Sequence, residues 1–382
     1  MNIRNHLLLF VIFTRCFIAA SVHAEPLIVP APPEIKATSY IVMDFNSDHI
    51  LVEKNIDERL PPASLTKIMT VYVVCHELKS GKIRLDDRVV VSERAWRMQG
   101  SRMFIEVNKE VSVEDLLMGV IIQSGNDASV ALAEHISGSE DVFASMMNNY
   151  AKKLGMTGTN FMNSTGLPDE QNYTTARDLA ILAKALIRDF PDIYGWHSIR
   201  EFIFNGIKQH NRNRLLWSDS SVDGIKTGHT EEAGYCLVTS AKREDMRLIS
   251  VILGADGTNT RTAASQSLLN YGYRFYETRK LYGANEIIST TKIWKGETDA
   301  LDLGIDHDLY VTVARGQFKN LNTSVEVDPK ITAPVMKGER CGTLKVSYSG
   351  KQLVTDSLVA LQTVTEGNMF NRLKDDVRLL FQ

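Results

Sequence analysis

The chain has 382 residues, enough for about two domains, and its 44% hydrophobic and 23% charged content is that of an ordinary globular protein. The formal net charge of −3 lacks the basic excess of a nucleic-acid binder, so no nucleic-acid partner is expected.

Residues 1–24 read as a signal peptide. Arg4 supplies the positive region, Leu7 to Phe13 and Phe17 to Ala20 form an apolar stretch broken by Arg15, and Val22-His23-Ala24 resembles a cleavage site. The run is too short and too broken for a spanning helix. Its removal takes away Arg4 and Arg15 and no acids, so the charge moves from −3 to −5. Cys16 lies inside this segment, and Arg15 before it speaks against a lipid anchor. Cys75, Cys236 and Cys341 are scattered in apolar surroundings, which predicts buried free thiols rather than a disulfide framework or metal site.

Residues 25–34 form a Pro-rich, extended lead-in, and a first globular domain is expected over 35–283. Ser39 to Asp44 and Ile50 to Glu53 read as strands joined by a turn at Asn46-Ser47-Asp48. Pro61-Pro62 then precedes a helix over 64–78. Further helices follow. Ser112 and Asp115 resemble a capping box ahead of Leu116 to Ile122. Asn126 to Ile136 comes next, then Ser139 to Leu154, with apolar positions every fourth residue, and Leu179 to Ile187 behind Thr175 and Asp178. Strands return at Phe202 to Phe204, Gly234 to Ala241 and Leu248 to Gly254, before a last helix over 261–276. Strands flanking a helical block predict an α+β domain with an antiparallel sheet. Short β-branched runs over 284–362 predict a small all-β, sandwich-like domain. In 363–382, Met369, Phe370, Leu373, Val377, Leu380 and Phe381 fall near one helical face. This fits either an amphipathic helix on a membrane surface or a helix docked on its own protein.

Three short patterns carry the chemistry. In Ser64-Leu65-Thr66-Lys67, Ser and Lys share one helical face, so the amine can reach the hydroxyl and act as its base once burial or a neighbouring cation lowers its proton affinity. A helix N-terminus adds N–H donors for an oxyanion. Ser-x-x-Lys arises by chance about once or twice in a chain this long. Ser289-Thr290-Thr291-Lys292 is such a match, in a strand-like run where Ser and Lys would point to opposite faces. The second pattern, Ser124-Gly125-Asn126, sits between two predicted helices and offers a relay hydroxyl and an amide, although these residues also form ordinary turns. The third, Lys226-Thr227-Gly228, followed by His229, suits an edge strand to which a peptide can add; its alternative is a solvated strand end.

Taken in order, the three match the Ser-x-x-Lys, Ser-x-Asn and Lys-Thr-Gly set of penicillin-recognising serine enzymes. With Pro61 to Lys67, Gln123 to Asp127, Asn163 to Leu167, Tyr173 to Ala180 and Asp223 to Val238, the chain resembles the D-alanyl-D-alanine carboxypeptidases among the low-molecular-mass penicillin-binding proteins. The resemblance implies a β-lactamase/transpeptidase-like catalytic domain, Ser64 as nucleophile, Lys67 as base and Ser124 as proton relay. It implies Asn126 on the substrate amide, Lys226 near the leaving group and the N–H groups of Ser64 and His229 as oxyanion hole. Thr227 and Arg261 would bind the terminal carboxylate, with Gly228 in the substrate-binding strand. Arg261 is placed only by its position in the 254–278 segment. The implied partners are a stem peptide of peptidoglycan ending in D-Ala-D-Ala and β-lactams, and the implied location is periplasmic, on the outer face of the inner membrane. No cofactor or metal is expected, because no His, Cys or acid cluster has ligand spacing.

Two other readings stand beside this one. A class A-like β-lactamase would need a Glu for the deacylating water, and Glu170 in the 167–172 loop is the candidate. A non-catalytic peptidoglycan-binding protein would not need Ser64, Lys67 and Lys226 together. A Ser-His-Asp triad through His229 is unnecessary where Lys67 accounts for Ser64.

Overall fold

The computed structural model describes residues 29–379. The expected signal peptide and the start of the lead-in lie outside the described residues.

The first domain is built on strands β1 (Ser39–Asp44) and β2 (Ile50–Lys54), the helices α1 (Thr66–Lys79), α2 (Val113–Met118), α3 (Asn126–Ser137), α4 (Glu140–Leu154) and α5 (Ala176–Asp189), strands β3 (Val222–Thr230), β4 (Gly234–Arg243) and β5 (Met246–Ala255), and helix α6 (Thr258–Phe275). The strands form one antiparallel sheet in the order β2-β1-β5-β4-β3, which leaves β3 at an edge. Alternation sorts its side chains. Ile41, Met43, Val238 and Val251 face the helical block, whereas Tyr40, Val42, Leu237 and Ile252 face α6. Helix α1 runs through the middle of the block and is buried nearly all round, from Ile68 to Cys75. Each buried aliphatic side chain there stabilises the fold by roughly 1.5–3 kcal/mol, which makes α1 a rigid base for whatever sits at its start.

Three local predictions are corrected. The helix expected from Ser64 starts as a 3-10 turn over Ala63–Leu65 and becomes α-helical only at Thr66, because Leu65 N–H is taken by the Pro62 carbonyl at 3.1 Å. The helix expected through Ile122 ends at Met118 and continues as a π-helical turn over Gly119–Gln123. Phe202 to Phe204 does not join the main sheet; Glu201–Phe204 pairs with Ile207–His210 as a separate ribbon.

The β-rich part begins at Tyr276 rather than at 284, since a strand leaves α6 without an intervening turn. Its strands are β6 (Tyr276–Tyr282), β7 (Ser289–Lys292), β8 (Ala300–Gly304), β9 (Leu309–Ala314), β10 (Leu321–Val327), β11 (Arg340–Tyr348) and β12 (Lys351–Ala360). β6 pairs with β9, and the other five form a sheet in the order β7-β8-β12-β11-β10. Their inner faces enclose Leu301, Leu303, Leu344, Val346 and Leu358. The two domains are tied by buried Asp44, whose carboxylate accepts from Thr278 Oγ1 at 2.7 Å and from Ser47 at the β1–β2 turn.

A last helix, α7 (Met369–Leu379), lies against this second domain by its polar side. Buried Asp375 accepts from Lys295 N at 2.7 Å, and Asp376 pairs with the Lys295 ammonium. Its apolar residues point away: Met369 is 88% and Phe370 84% exposed, with Leu373 and Val377 also exposed. Among the described residues, no helix is long and apolar enough to cross a membrane. Cys75, Cys236 and Cys341 are buried free thiols, as expected.

Candidate active site

The three sequence patterns, more than 160 residues apart from first to last, meet around one cavity of about 380 Å³. Ser64, Ser124, Thr227, Gly228, His229 and Arg261 line it, together with Gly100, Ser101 and Arg212. Ser64 comes from the 3-10 turn before α1, and Ser124 from the junction of the π-helical turn and α3. The others among the predicted residues come from edge strand β3 and the first turns of α6.

Lys67 is fully buried one turn below Ser64. Its Nζ lies 3.1 Å from Ser64 Oγ, 2.7 Å from Asn126 Oδ1 and 2.6 Å from the Thr165 carbonyl. Burial lowers its pKa to about 7, helped by the Arg212 guanidinium and opposed by the carboxylates of Asp127 and Glu140. An amine that is half neutral near pH 7 and within hydrogen-bond reach of a hydroxyl is equipped to take its proton.

Ser124 adopts a left-handed backbone conformation, φ +66°, at the end of the π-helical turn. Its Oγ is buried and has no hydrogen-bond partner among the described residues. A buried hydroxyl without a partner costs stability, so its persistence here points to a ligand-facing role. Asn126 donates through Nδ2 to the Gln99 carbonyl at 2.6 Å while its Oδ1 receives Lys67. An amide has capacity for further bonds beyond these two.

On the other wall, among the described residues, β3 pairs with no strand other than β4 and so forms the sheet edge, with the Asn213 and His197 side chains on the Gly224 and Ile225 carbonyls near its start. A Cβ at Gly228 would meet Ala63 Cβ, Pro62 O and Leu65 Cγ at 3.2–3.3 Å, so glycine lets the strand press against the turn that carries Ser64. Lys226 is buried and donates to the Thr227 carbonyl at 3.1 Å. Burial, with Lys67, Arg212 and Arg261 nearby, holds its pKa well below the usual lysine range. Arg261 is buried, not a surface residue of its helix, and its Nη1 donates to the carbonyls of Gly228 at 2.8 Å and Cys236 at 3.2 Å. Arg212 and Arg261 therefore bring two guanidinium groups to the small cavity that Ser64 also lines, an arrangement suited to a ligand with a free carboxylate. The His229 ring lies on Tyr235 at 4.1 Å, and among the described residues no carboxylate pairs with it. A Ser-His-Asp triad is not assembled.

Sequence reasoning missed several parts. Arg212 has no motif around it and reaches the cavity through the loop before β3. Asp127 follows the Ser-Gly-Asn pattern directly. Fully buried, it accepts from the backbone N–H groups of Met103, Phe104 and Ala128 at 2.9–3.0 Å, which anchors the loop that brings Gly100 and Ser101 to the cavity. The turn Asn163 to Gly166 supplies the Thr165 carbonyl. Its Asn-Ser-Thr-Gly composition marks a turn but not the partner of that carbonyl. Glu170 is exposed and does not line the cavity. Ser289 and Lys292 lie in strand β7, where the Lys292 ammonium sits 3.4 Å over the Trp294 ring. Among the described residues, no group of three His, Cys, Asp or Glu side chains could hold a metal.

An α+β scaffold that brings Ser-x-x-Lys, Ser-x-Asn and Lys-Thr-Gly to one cavity is that of the penicillin-recognising serine hydrolases. The family model of D-alanyl-D-alanine carboxypeptidases matches residues 27–257, and that of the penicillin-binding protein 5 C-terminal domain matches 276–366. The chain belongs to the D-alanyl-D-alanine carboxypeptidase family, and it is a serine-type peptidoglycan carboxypeptidase of the penicillin-binding proteins. It is 46% identical over 357 residues to D-alanyl-D-alanine carboxypeptidase DacC of Escherichia coli, covering 91% of this chain and 89% of that one. The structure of penicillin-binding protein 5 from Haemophilus influenzae superposes with a TM-score of 0.86 at 43% identity, covering 88% of this chain and 100% of that one. A Listeria monocytogenes penicillin-binding protein in an ampicillin-bound form matches with a TM-score of 0.59 at 30% identity, covering 64% of this chain and 100% of that one.

Proposed function

We propose that Ser64 is the nucleophile that removes the terminal D-alanine of peptidoglycan stem peptides and that β-lactams acylate the same hydroxyl. The observation that carries this reading is the buried Lys67 ammonium site 3.1 Å from Ser64 Oγ, with a pKa lowered to about 7. Neutral Lys67 takes the Ser64 proton as Oγ attacks the carbonyl carbon of the penultimate D-alanine. The N–H groups of Ser64 and His229 receive the negative charge of the tetrahedral oxygen. As the C–N bond breaks, the proton that Lys67 took passes through Ser124, beside Lys226, to the leaving amine, which leaves Lys67 neutral again. Water, deprotonated by Lys67, then attacks the ester carbonyl, and Ser64 Oγ leaves with its proton restored. Asn126 holds the substrate amide, the edge of β3 with Gly228 pairs with the substrate backbone, and Thr227 and Arg261 bind the terminal carboxylate. The guanidinium of Arg212, which lines the same cavity, adds to that positive field.

The β-lactamase alternative lacks support at Glu170, which is exposed outside the cavity. The exposed apolar face of α7, with buried Asp375 turned inward, favours a helix lying on a lipid surface over one docked by its apolar side. Together with the leader expected over 1–24, this supports a location on the periplasmic face of the inner membrane, where the cell wall is its substrate.

The test is mass-spectrometric detection of free D-alanine from diacyl-Lys-D-Ala-D-Ala, paired with mapping of a penicillin adduct. Release together with an adduct on Ser64 is expected. Folded protein that neither releases D-alanine nor forms the adduct overturns the reading.

A further inference from the structure

Glu140 lies outside the cavity, yet it is connected to Lys67 through hydrogen bonds that both residues make to the adjacent pair Ser164–Thr165. It is the first residue of α4, behind the N-cap Ser139, where a carboxylate complements the helix dipole. That position alone does not explain its burial, since an exposed acid would serve as well. Its side chain is only 6% exposed. Oε1 accepts from both Ser164 N at 3.0 Å and Ser164 Oγ at 2.7 Å, and Oε2 accepts from Arg94 Nη2 at 2.7 Å. Glu140 therefore grips one residue, Ser164, by two bonds, one to its backbone N–H and one to its hydroxyl.

The next residue carries the carbonyl that receives Lys67 at 2.6 Å. The same turn is held from the α1 side, where Thr70 Oγ1, one turn beyond Lys67, donates to the Ser164 carbonyl at 2.6 Å. Asn163 Oδ1 collects Thr165 N and Gly166 N at 3.1 and 2.7 Å. The turn is thus clamped between α4 and α1, and Glu140 is the only charged side chain among these clamps.

We infer that Glu140 is a positioning residue for Lys67: it fixes the Ser164–Thr165 turn that receives the lysine and sets a negative charge beside it. The inference rests on Lys67 being the base for Ser64. The charged groups acting on the ammonium are Arg212 from the loop before β3 and Lys226 from β3, which favour the neutral amine, and Asp127 from α3 and Glu140 from α4, which favour the ammonium. Arg94 attenuates Glu140 from the outer side and is itself half exposed. Glu140 therefore moderates the effect of burial. Without it the amine would lose its proton at lower pH; without Arg94 it would hold it to higher pH.

The experiment is the rate of acylation by a fluorescent penicillin as a function of pH, for the full chain and the variants Glu140→Gln, Arg94→Met and Ser164→Ala. Wild type shows a rate that rises with pH through an acid limb. Glu140→Gln moves this limb to lower pH by about half a unit, a roughly threefold higher rate relative to plateau on its acid side. Arg94→Met moves it the other way. Ser164→Ala keeps the charge and loses only one bond, so it lowers the plateau without moving the limb. An unmoved limb in Glu140→Gln, or one moved upward, overturns the inference. Where Glu140→Gln is not recovered folded, Arg94→Met decides alone: an upward shift supports the inference, and no shift or a downward one overturns it. Failure of the underlying reading is distinct, because wild type would then show no acid limb and Lys67→Ala would be acylated normally.

Discussion

Replacing Gly166 by Ala tests whether the seat of the nucleophile depends on the turn behind it. Gly166 has φ +80°, and a Cβ built there lies 1.7 Å from the Ala63 carbonyl oxygen, 2.4 Å from its carbon and 2.8 Å from Thr66 Oγ1. Ala63 immediately precedes Ser64, so neither backbone can yield without moving the hydroxyl. The left-handed conformation alone costs an Ala about 1–2 kcal/mol. Forcing a methyl into this contact adds about 1–3 kcal/mol or more. The sum, about 2–5 kcal/mol, lowers the midpoint of thermal unfolding by roughly 5–15 °C for a domain of this size. Gly81→Ala is the control. Its φ is +74°, but nothing lies within 4 Å of the added methyl, so it bears the conformational cost alone. Calorimetry of both variants, with penicillin acylation rates measured well below each midpoint, separates clash from conformation. Gly166→Ala is expected to be the less stable of the two and to acylate at least tenfold more slowly, while Gly81→Ala keeps the wild-type rate. Equal midpoints and equal rates would show that the 163–166 turn does not hold Ser64.

Other outcomes follow from the same geometry. With the Lys67 pKa lowered to about 7, acylation requires the neutral amine and rises about tenfold between pH 6 and 8; a flat profile removes Lys67 as base. The same shift has a sign for stability. The unfolded chain binds the Lys67 proton up to its ordinary, higher pKa while the folded chain has released it, so this residue's contribution to stability grows as pH rises from about 7 towards 10, a slope that Lys67→Met abolishes in denaturant titrations. Ser124→Ala deletes a hydroxyl that has no partner among the described residues, so unfolding shifts by less than about 1 kcal/mol while D-alanine release falls by about 10²- to 10⁴-fold; a variant with normal turnover refutes the relay. Phe370→Asp with Leu373→Asp is expected to abolish co-sedimentation with anionic vesicles and leave D-alanine release in solution unchanged, since both side chains project from α7 into solvent; retained sedimentation counts against α7 as the membrane contact.

Much of the architecture was legible before any coordinates. The nearly continuous apolar runs within Ser39 to Asp44 and Leu248 to Gly254 read as sheet strands, because a strand covered on both faces is apolar on each side. The i, i+3 spacing is shared by both Ser-x-x-Lys matches, and it was helical against strand-like context that selected Ser64 and Lys67 over Ser289 and Lys292, which do lie in a strand. Helix boundaries were less legible. Gly119 to Gln123 has the composition of ordinary helix, and its widened turn answers to packing against Met103 rather than to propensity. The strand at Tyr276 was hidden because no Gly, Pro or Asn separates it from α6.

What the sequence by itself determined is local: a hydroxyl and an amine on one face of one helix, a Ser-Gly-Asn junction, a Lys-Thr-Gly strand, and an amphipathic end. These depend on residues a few positions apart, whose relative placement follows from backbone geometry. Tertiary structure alone decided how they act. Lys67 titrates near 7 because packing removes its water, and its partners Asn126 and Thr165 are 59 and 98 residues away. Arg212 and Glu140 belong to no motif, and only folding brings their charges to bear on that amine. The direction of α7 was likewise open from its pattern, until Asp375 was found turned inward and Phe370 outward. Desolvation and long-range charge are properties of the assembled interior, and no short stretch of chain contains them.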